Sequence, residues 1–257
     1  MGIFANPLTD LLEYEDFSRD FLKGTDPVGM TGCIDSEKVH FMSTFLGEKK
    51  VQLVVTYNEQ RAREIEEDYK LFCSQVYVIP PRDLIFFSAD LQGNAIIAER
   101  MKAFAALYQN EAKVIITTMD ALMSAAVPFE QLMSHVIKLK EGDELDLEKL
   151  KHDLTVMGYE RVGRVEEPGQ FTVHGGIADV YPLTMEVPVR IELWGDEIDT
   201  IRCFEPQSQR SMDQIECVSV FPAAEVIADD TARRRAVGMI QNELESQFCL
   251  LYTSDAA

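Results

Sequence analysis

The stretch IADVYPLTMEVPVRIELWGDEIDTIRCF, residues 177–204, carries the reading of the fold. Within it VRIELW and EIDTIRCF are alternating runs, and Gly195-Asp196 sits between them as a tight-turn signal. YERVG and QFTV lie just upstream, each again short and bounded by turn residues. Strands spaced this closely predict a mostly antiparallel sheet. VIKLK and a helix over about Asp146 to Met157 precede them, with Asp146 as N-cap and Gly158 as the stop. The whole reads as an α+β domain over 135–222.

The chain before about residue 134 has a different texture. VQLVVT (51–56), VYVI (76–79) and VIITT (114–118) are short apolar runs separated by amphipathic segments, the pattern of strands in a buried parallel sheet. The intervening helices are expected over Glu59 to Phe72, with Ile65, Tyr69 and Phe72 on one side, and over Ala95 to Tyr108, opening after Gly93-Asn94. That is an α/β layout for 1–134. After Phe221-Pro222 the chain is expected to return to helix, from about Asp229 to Phe248, so that 223–248 rejoins the first domain. The final segment, 249–257 (CLLYTSDAA), reads as a truncated or foreign tail.

Composition narrows the function. The chain has 257 residues, 46% of them hydrophobic, enough for packed cores. No window has the roughly 18 apolar residues of a membrane span, and the start lacks a basic, apolar secretion signal, so a cytoplasmic location and no membrane partner are expected. The five cysteines (Cys33, Cys73, Cys203, Cys217, Cys249) and four histidines are scattered, without metal-ligand spacing. Reduced, mostly buried thiols and no metal site are expected. With 44 acidic against 24 basic residues the formal charge is -20, which opposes binding to phosphate backbones and disfavours direct nucleic-acid binding. The one dense basic run, Arg233-Arg234-Arg235, falls in a helical stretch and reads as a solvated face.

One motif suggests a nucleotide. GMTGCIDS, residues 29–36, has the glycines and serine of a phosphate loop of form GxxxxGK[ST]. Gly29 and Ser36 keep that frame with Thr31 and Gly32 between them, but Ile34 stands where the second glycine belongs and Asp35 replaces the lysine. A carboxylate there repels a triphosphate where the lysine would attract it. Lys38 lies beyond the position that would repair the loss, and Glu66-Glu67-Asp68 falls in a helical pattern and not at a strand tip. The residues alone leave an ordinary turn before a helix as the competing reading.

A longer pattern settles which reading to prefer. The order GYER, EEPGQF, GGIADVYP, RIELWGDEI and IRCFEP, running from Gly158 to Ser211, resembles the domain shared by the bacterial excision-repair protein UvrB and the transcription-repair coupling factors (Mfd). The ending QSQRS, together with PPRDLIFFSAD and VIITTMDALM, is similar to the N-terminal part of the coupling factors. This resemblance implies a degenerate P-loop, helicase-like parallel-sheet domain with an inserted, mostly antiparallel α+β UvrA-interaction domain. It implies that the loop at 29–36 has lost its nucleotide, so that no cofactor is expected here. ATP and magnesium belong to motor domains of the family outside this chain, as do the contacts with RNA polymerase and DNA.

The same resemblance implies an adaptor that recruits UvrA, and it points to particular residues. Arg161 and Arg190 are expected to meet partner carboxylates, Phe171 to anchor an apolar contact, and Asp179 to accept from a partner cation. His174 stands where the family commonly has arginine, which predicts a weaker, pH-sensitive contact. Each has a rival reading: Phe171 as core, Asp179 as pin of the neighbouring turn, Arg190 as a partner of Glu192 in its own sheet. Two alternatives to the adaptor are a nucleotide-binding helicase core and a hydrolase using Glu166 and Glu167. The second is disfavoured because neighbours in an extended strand point to opposite faces.

Overall fold

The computed structural model describes residues 14–46, 51–82, 91–124, 126–227 and 234–245, together with positions 8, 10 and 11. Two compact units divide between Ala125 and Ala126.

The first unit is built on three parallel strands, β1 (Gln52–Thr56), β2 (Val76–Ile79) and β3 (Val114–Thr118), in the order β1-β3-β2. The central VIITT strand is buried along its whole length, which explains why it reads as an unbroken apolar and threonine run without alternation. Its residues go alternately to two helical layers. Val114 and Ile116 pack with Ala62, Ile65 and Tyr69 of α3 (Glu59–Lys70), while Ile115 packs with Ala103 and Ala106 of α4 (Leu91–Tyr108). Asn58 starts α3 by accepting from the Arg61 N–H at 2.8 Å. Gly93-Asn94 lie inside α4 and do not open it; a glycine inside a helix costs only about 1 kcal/mol, which the packed face outweighs. Glu66, Glu67 and Asp68 are helical, as their pattern predicts. Most of PPRDLIFFSAD lies outside the described residues.

Upstream, α1 (Tyr14–Lys23) and α2 (Asp35–Ser43) meet through an aromatic cluster of Tyr14, Phe17, Phe41 and Phe45, with Phe17 and Phe41 edge to face at 4.8 Å. α5 (Met119–Met123) follows β3, capped by the Thr118 hydroxyl.

The second unit opens with α6 (Phe129–Met133), which the sequence texture had assigned to the region before 134. β4 (Ile137–Lys140) then leads to α7 (Leu147–Val156), and a six-stranded sheet follows. Its strands are β5 (Glu160–Arg161), β6 (Gln170–His174), β7 (Ile177–Val180), β8 (Val189–Trp194), β9 (Glu197–Phe204) and β10 (Ser211–Gln214), in sequential order across the sheet. All neighbours are antiparallel except β5 and β6. β11 (Cys217–Val220) returns to pair with β4.

One face of the sheet forms the core. Phe171, Val173, Ala178, Val180, Val189, Ile191, Ile198 and Ile201 pack against Leu150 and Leu154 of α7 and against Leu139, Val218 and Val220 of the β4–β11 pair. Asp146 caps α7, accepting from the N–H groups of Glu148 (2.9 Å) and Lys149 (3.2 Å), and Gly158 ends it at φ +91°. Buried Tyr159 donates to the Phe221 carbonyl at 2.7 Å, fastening the end of the domain to its start. Residues 234–245 form a further helix, α8, on which Arg234 and Arg235 are exposed. The segment CLLYTSDAA lies outside the described residues.

Among the described residues no helix is long and apolar enough to cross a membrane, and no group of side chains has the makings of a metal site. The thiols of Cys33, Cys73 and Cys203 are half-buried and that of Cys217 is exposed, so the expectation of mostly buried cysteines does not hold for these four. Each sits near a strand or helix end, where packing is incomplete.

Candidate functional site

Register decides which residues can act together. Across the six-stranded sheet, Thr172 lies opposite Asp179, Asp179 opposite Arg190, and Arg190 opposite Arg202. The next row runs His174, Ile177, Glu192, Thr200. Side chains in these rows alternate with the core-facing ones and share the other face, here called the outer face.

Of the five expected partner-binding residues, His174, Asp179 and Arg190 come together on that face. Phe171 does not: it belongs to the core-facing row and is 0% exposed, so the core reading holds and it offers no anchor. Arg161 is exposed on β5 at the sheet edge, and its strand partner is Phe171, which places it in the opposite row from His174.

Asp179 and Arg190 answer each other. The guanidinium donates through Nε to one carboxylate oxygen and through a terminal nitrogen to the other, both at 2.7 Å. This bidentate fork explains the arginine, since a lysine offers no second donor in that plane. It corrects the expectation of an Arg190–Glu192 pair: residues two apart on a strand lie side by side on one face, whereas Asp179 sits directly across. It also replaces the idea that Asp179 pins a turn. The Arg190 guanidinium lies over the Phe204 ring at 4.8 Å and reaches Gln209 at 3.4 Å. Its hydrogen bonds to the Asp179 carboxylate raise the Arg190 pKa above its ordinary value, against the opposing effect of burial. With both carboxylate oxygens engaged and only 9% of its side chain exposed, Asp179 has little left for a partner.

His174 is free of that network. It ends β6 at the hairpin Gly175-Gly176 and is exposed beside Ile177. Beyond it, β8 carries Trp194, 84% exposed, on the same face as Arg190 and Glu192. Sequence reasoning passed over Trp194, although the alternation of VRIELW already places a tryptophan where polar residues belong. Glu166 and Glu167 lie in a loop, not an extended strand, and both their N–H groups donate to the Gln170 side-chain oxygen at 3.0 Å. Two carboxylates held by their backbones around one amide present no shared substrate position.

The loop at 29–36 can be compared with what phosphate requires. Among the described residues it follows helix α1 with no strand before it, and Gly32 turns at φ +84° into α2. The start of that helix is already served by carboxylates: Glu37 accepts from the Ile34 N–H at 3.1 Å, and Asp35 meets Lys38 at 3.1 Å and Arg61 at 3.6 Å. Lys38, by hydrogen bond, and Arg61, by its charge, hold the Asp35 carboxyl below the ordinary carboxylate range. Gly29, Thr31, Ile34 and Ser36 are exposed. The Ile34 N–H, Lys38 and Arg61 are thus engaged by the chain's own carboxylates, which opposes a triphosphate at this helix start. A cleft of about 980 Å³ adjoins them, with Lys23, Asp35, Lys38, Arg61 and Tyr57 among its lining residues.

Residues 137–225 match the family model described as the UvrB interaction domain. The chain is similar to a transcription-repair-coupling factor of Staphylococcus haemolyticus, 33% identical over 233 residues, covering 89% of this chain and 19% of that protein. A relative of the same description in Staphylococcus epidermidis is 30% identical over 250 residues, and one in Staphylococcus aureus is 30% identical over 255, each match covering 96% of this chain and 21% of the relative. The chain therefore spans about a fifth of the length of the curated relatives it matches.

Proposed function

From the premise that this chain carries a UvrB interaction domain and is homologous over nearly its whole length to about a fifth of the transcription-repair-coupling factors, we propose that it is their adaptor stretch, which recruits UvrA to stalled RNA polymerase in transcription-coupled excision repair. Removal of the polymerase and ATP-driven movement on DNA belong, on this reading, to other parts of the coupling factor, and the chain acts in the cytoplasm.

The observation that carries the reading is the match of residues 137–225 to a sheet whose outer face ends in exposed His174 and Ile177. A face of this kind binds by shape and placed charge and needs no reacting group. Arg161 and His174 are the contacts to test, since their side chains are exposed. Arg190 and Asp179 serve by holding β7 and β8 in register. Purified fragment should retain UvrA in a pull-down, and the Arg161→Ala and His174→Ala variants should weaken it by about tenfold together. Failure of the folded wild-type fragment to associate at all would sink the proposal.

The first unit, on the same reading, is a helicase-like scaffold that has given up its nucleotide at Ile34 and Asp35. One observation favours the rival reading of residual ATP binding: the cleft beside α2 has Lys23, Lys38 and Arg61 in its lining. The engaged carboxylates of Asp35 and Glu37 oppose it. Millimolar magnesium-ATP is expected to leave the thermal midpoint unmoved, whereas saturation at 100 times Kd would add about 2.7 kcal/mol of stability.

A further inference from the structure

The outer face continues past His174 to a feature that the repair reading does not use. β8 ends in Trp194, the one tryptophan of the chain, and 84% of it is exposed. A bulge in the β8–β9 pairing takes up one residue: Glu192 lies opposite Thr200, Leu193 opposite Ile198 and Trp194 opposite Glu197. Leu193 thus stays on the core side, and Trp194 remains on the outer face in line with Glu192 and Arg190.

The two hairpin tips are joined. Trp194 stands at the tip of the β8–β9 hairpin, beside the Gly175-Gly176 tip of the β6–β7 hairpin. The Leu193 N–H donates to the Gly176 carbonyl at 2.8 Å, tying one tip to the other. Gly175 and Gly195 turn these corners at φ +59° and +68°. Ile177, 40% exposed, follows the first tip, so the two hairpins present an indole and an isoleucine on one face.

The surroundings of this apolar spot are acidic. Asp196 and Glu197 are exposed at the tip, Glu192 is half-buried in the next row, and Glu144 joins Glu197 by a backbone bridge. Two arginines share the face farther along the strands, Arg190, engaged by Asp179, and Arg202 opposite it. An exposed indole with acidic residues at neighbouring positions attracts a cation twice, through its π face and through the surrounding charge. A nucleic acid would meet repulsion here, and so would a second copy of a chain of net charge -20.

We infer that Trp194 and the neighbouring acidic residues form the seat for a basic segment of the partner protein, with an arginine or lysine stacked on the indole. The inference rests on the UvrA reading and specifies the chemistry of UvrA that this end of the sheet takes.

The test uses the whole fragment and UvrA. Trp194→Phe removes the only tryptophan, so the emission of a mixture containing that variant is the blank for UvrA's own signal. Binding should shift the wild-type emission to the blue. Trp194→Ala should weaken binding by on the order of tenfold or more while leaving the thermal midpoint in place, because the side chain is exposed; Trp194→Phe should lose less. Glu197→Gln should weaken binding a few-fold and flatten its dependence on salt.

Normal affinity of Trp194→Ala with unshifted wild-type emission overturns this inference and leaves the UvrA reading standing. Tighter binding by Glu197→Gln overturns the basic occupant. An emission shift produced by single-stranded DNA alone, or by raising the fragment's own concentration, overturns it in favour of those occupants. No association of wild type with UvrA overturns the functional reading and this inference with it.

Discussion

At the scale of single residues, the Asp179–Arg190 pair makes a measurable claim. A carboxylate with 9% of its side chain exposed keeps its charge only because the guanidinium returns what water would have supplied. Arg190→Ala strands that charge among Thr172 and the neighbouring strands. The expected loss is roughly 3–5 kcal/mol, the range for breaking one side of a buried pair. Urea denaturation should show it, and Asp179→Ala combined with Arg190→Ala should cost less than the two single changes added. Equal additive losses would mean that the fork contributes nothing as a pair. This also shows why Arg190→Ala is a poor probe of partner binding: a lowered affinity would report a damaged sheet. His174 and Arg161 carry no such burden.

At the scale of elements, the end of α7 is the most constrained join in the second unit. Gly158 sits at φ +91°, and a Cβ added there would lie 2.6 Å from the Ala224 Cβ and 3.2 Å from the Ala224 nitrogen. The helix stop and the return of the chain at Ala223 and Ala224 therefore occupy one space, held by N–H bonds from both alanines to the Met157 carbonyl at 2.9 and 3.1 Å. Gly158→Ala is expected to cost at least about 1–2 kcal/mol from backbone strain alone, with the clash in addition. A midpoint in urea equal to wild type would show that the join yields freely.

That join also shows what the sequence revealed. Asp146 and Gly158 were legible because caps and stops act within a few residues. The strands of the sheet were legible from alternation and turn residues. Arg190's partner was not, because adjacent strands bring together residues that are eleven apart in sequence, and only the register distinguishes Asp179 from Glu192. Phe171 illustrates the same gap. Alternation says that it faces away from Thr172, but which of the two faces is core follows from where α7 packs. The opening of α4 was misplaced because Gly93-Asn94 is a local turn signal, yet both residues are helical.

At the scale of the whole molecule, the second unit closes its main core within its own stretch of chain. Every buried member of the second unit's main cluster lies between Leu139 and Val220, so its apolar contacts are internal to one stretch of chain. The Tyr159–Phe221 hydrogen bond and the alanine bonds to Met157 tie its last residues back to α7. A span of about 100 residues is large enough to bury a self-sufficient core. A fragment of residues 126–227 is therefore expected to unfold in urea in a single cooperative transition, with a slope of about 1–2 kcal/mol/M. On the proposed function it should also hold UvrA within about twofold of the full chain's affinity, since Arg161, His174 and Trp194 all lie inside it. A broad, non-cooperative transition would show that this core depends on the first unit. Cooperative unfolding with lost affinity would move part of the UvrA contact outside the sheet, to residues before 126 or after 227.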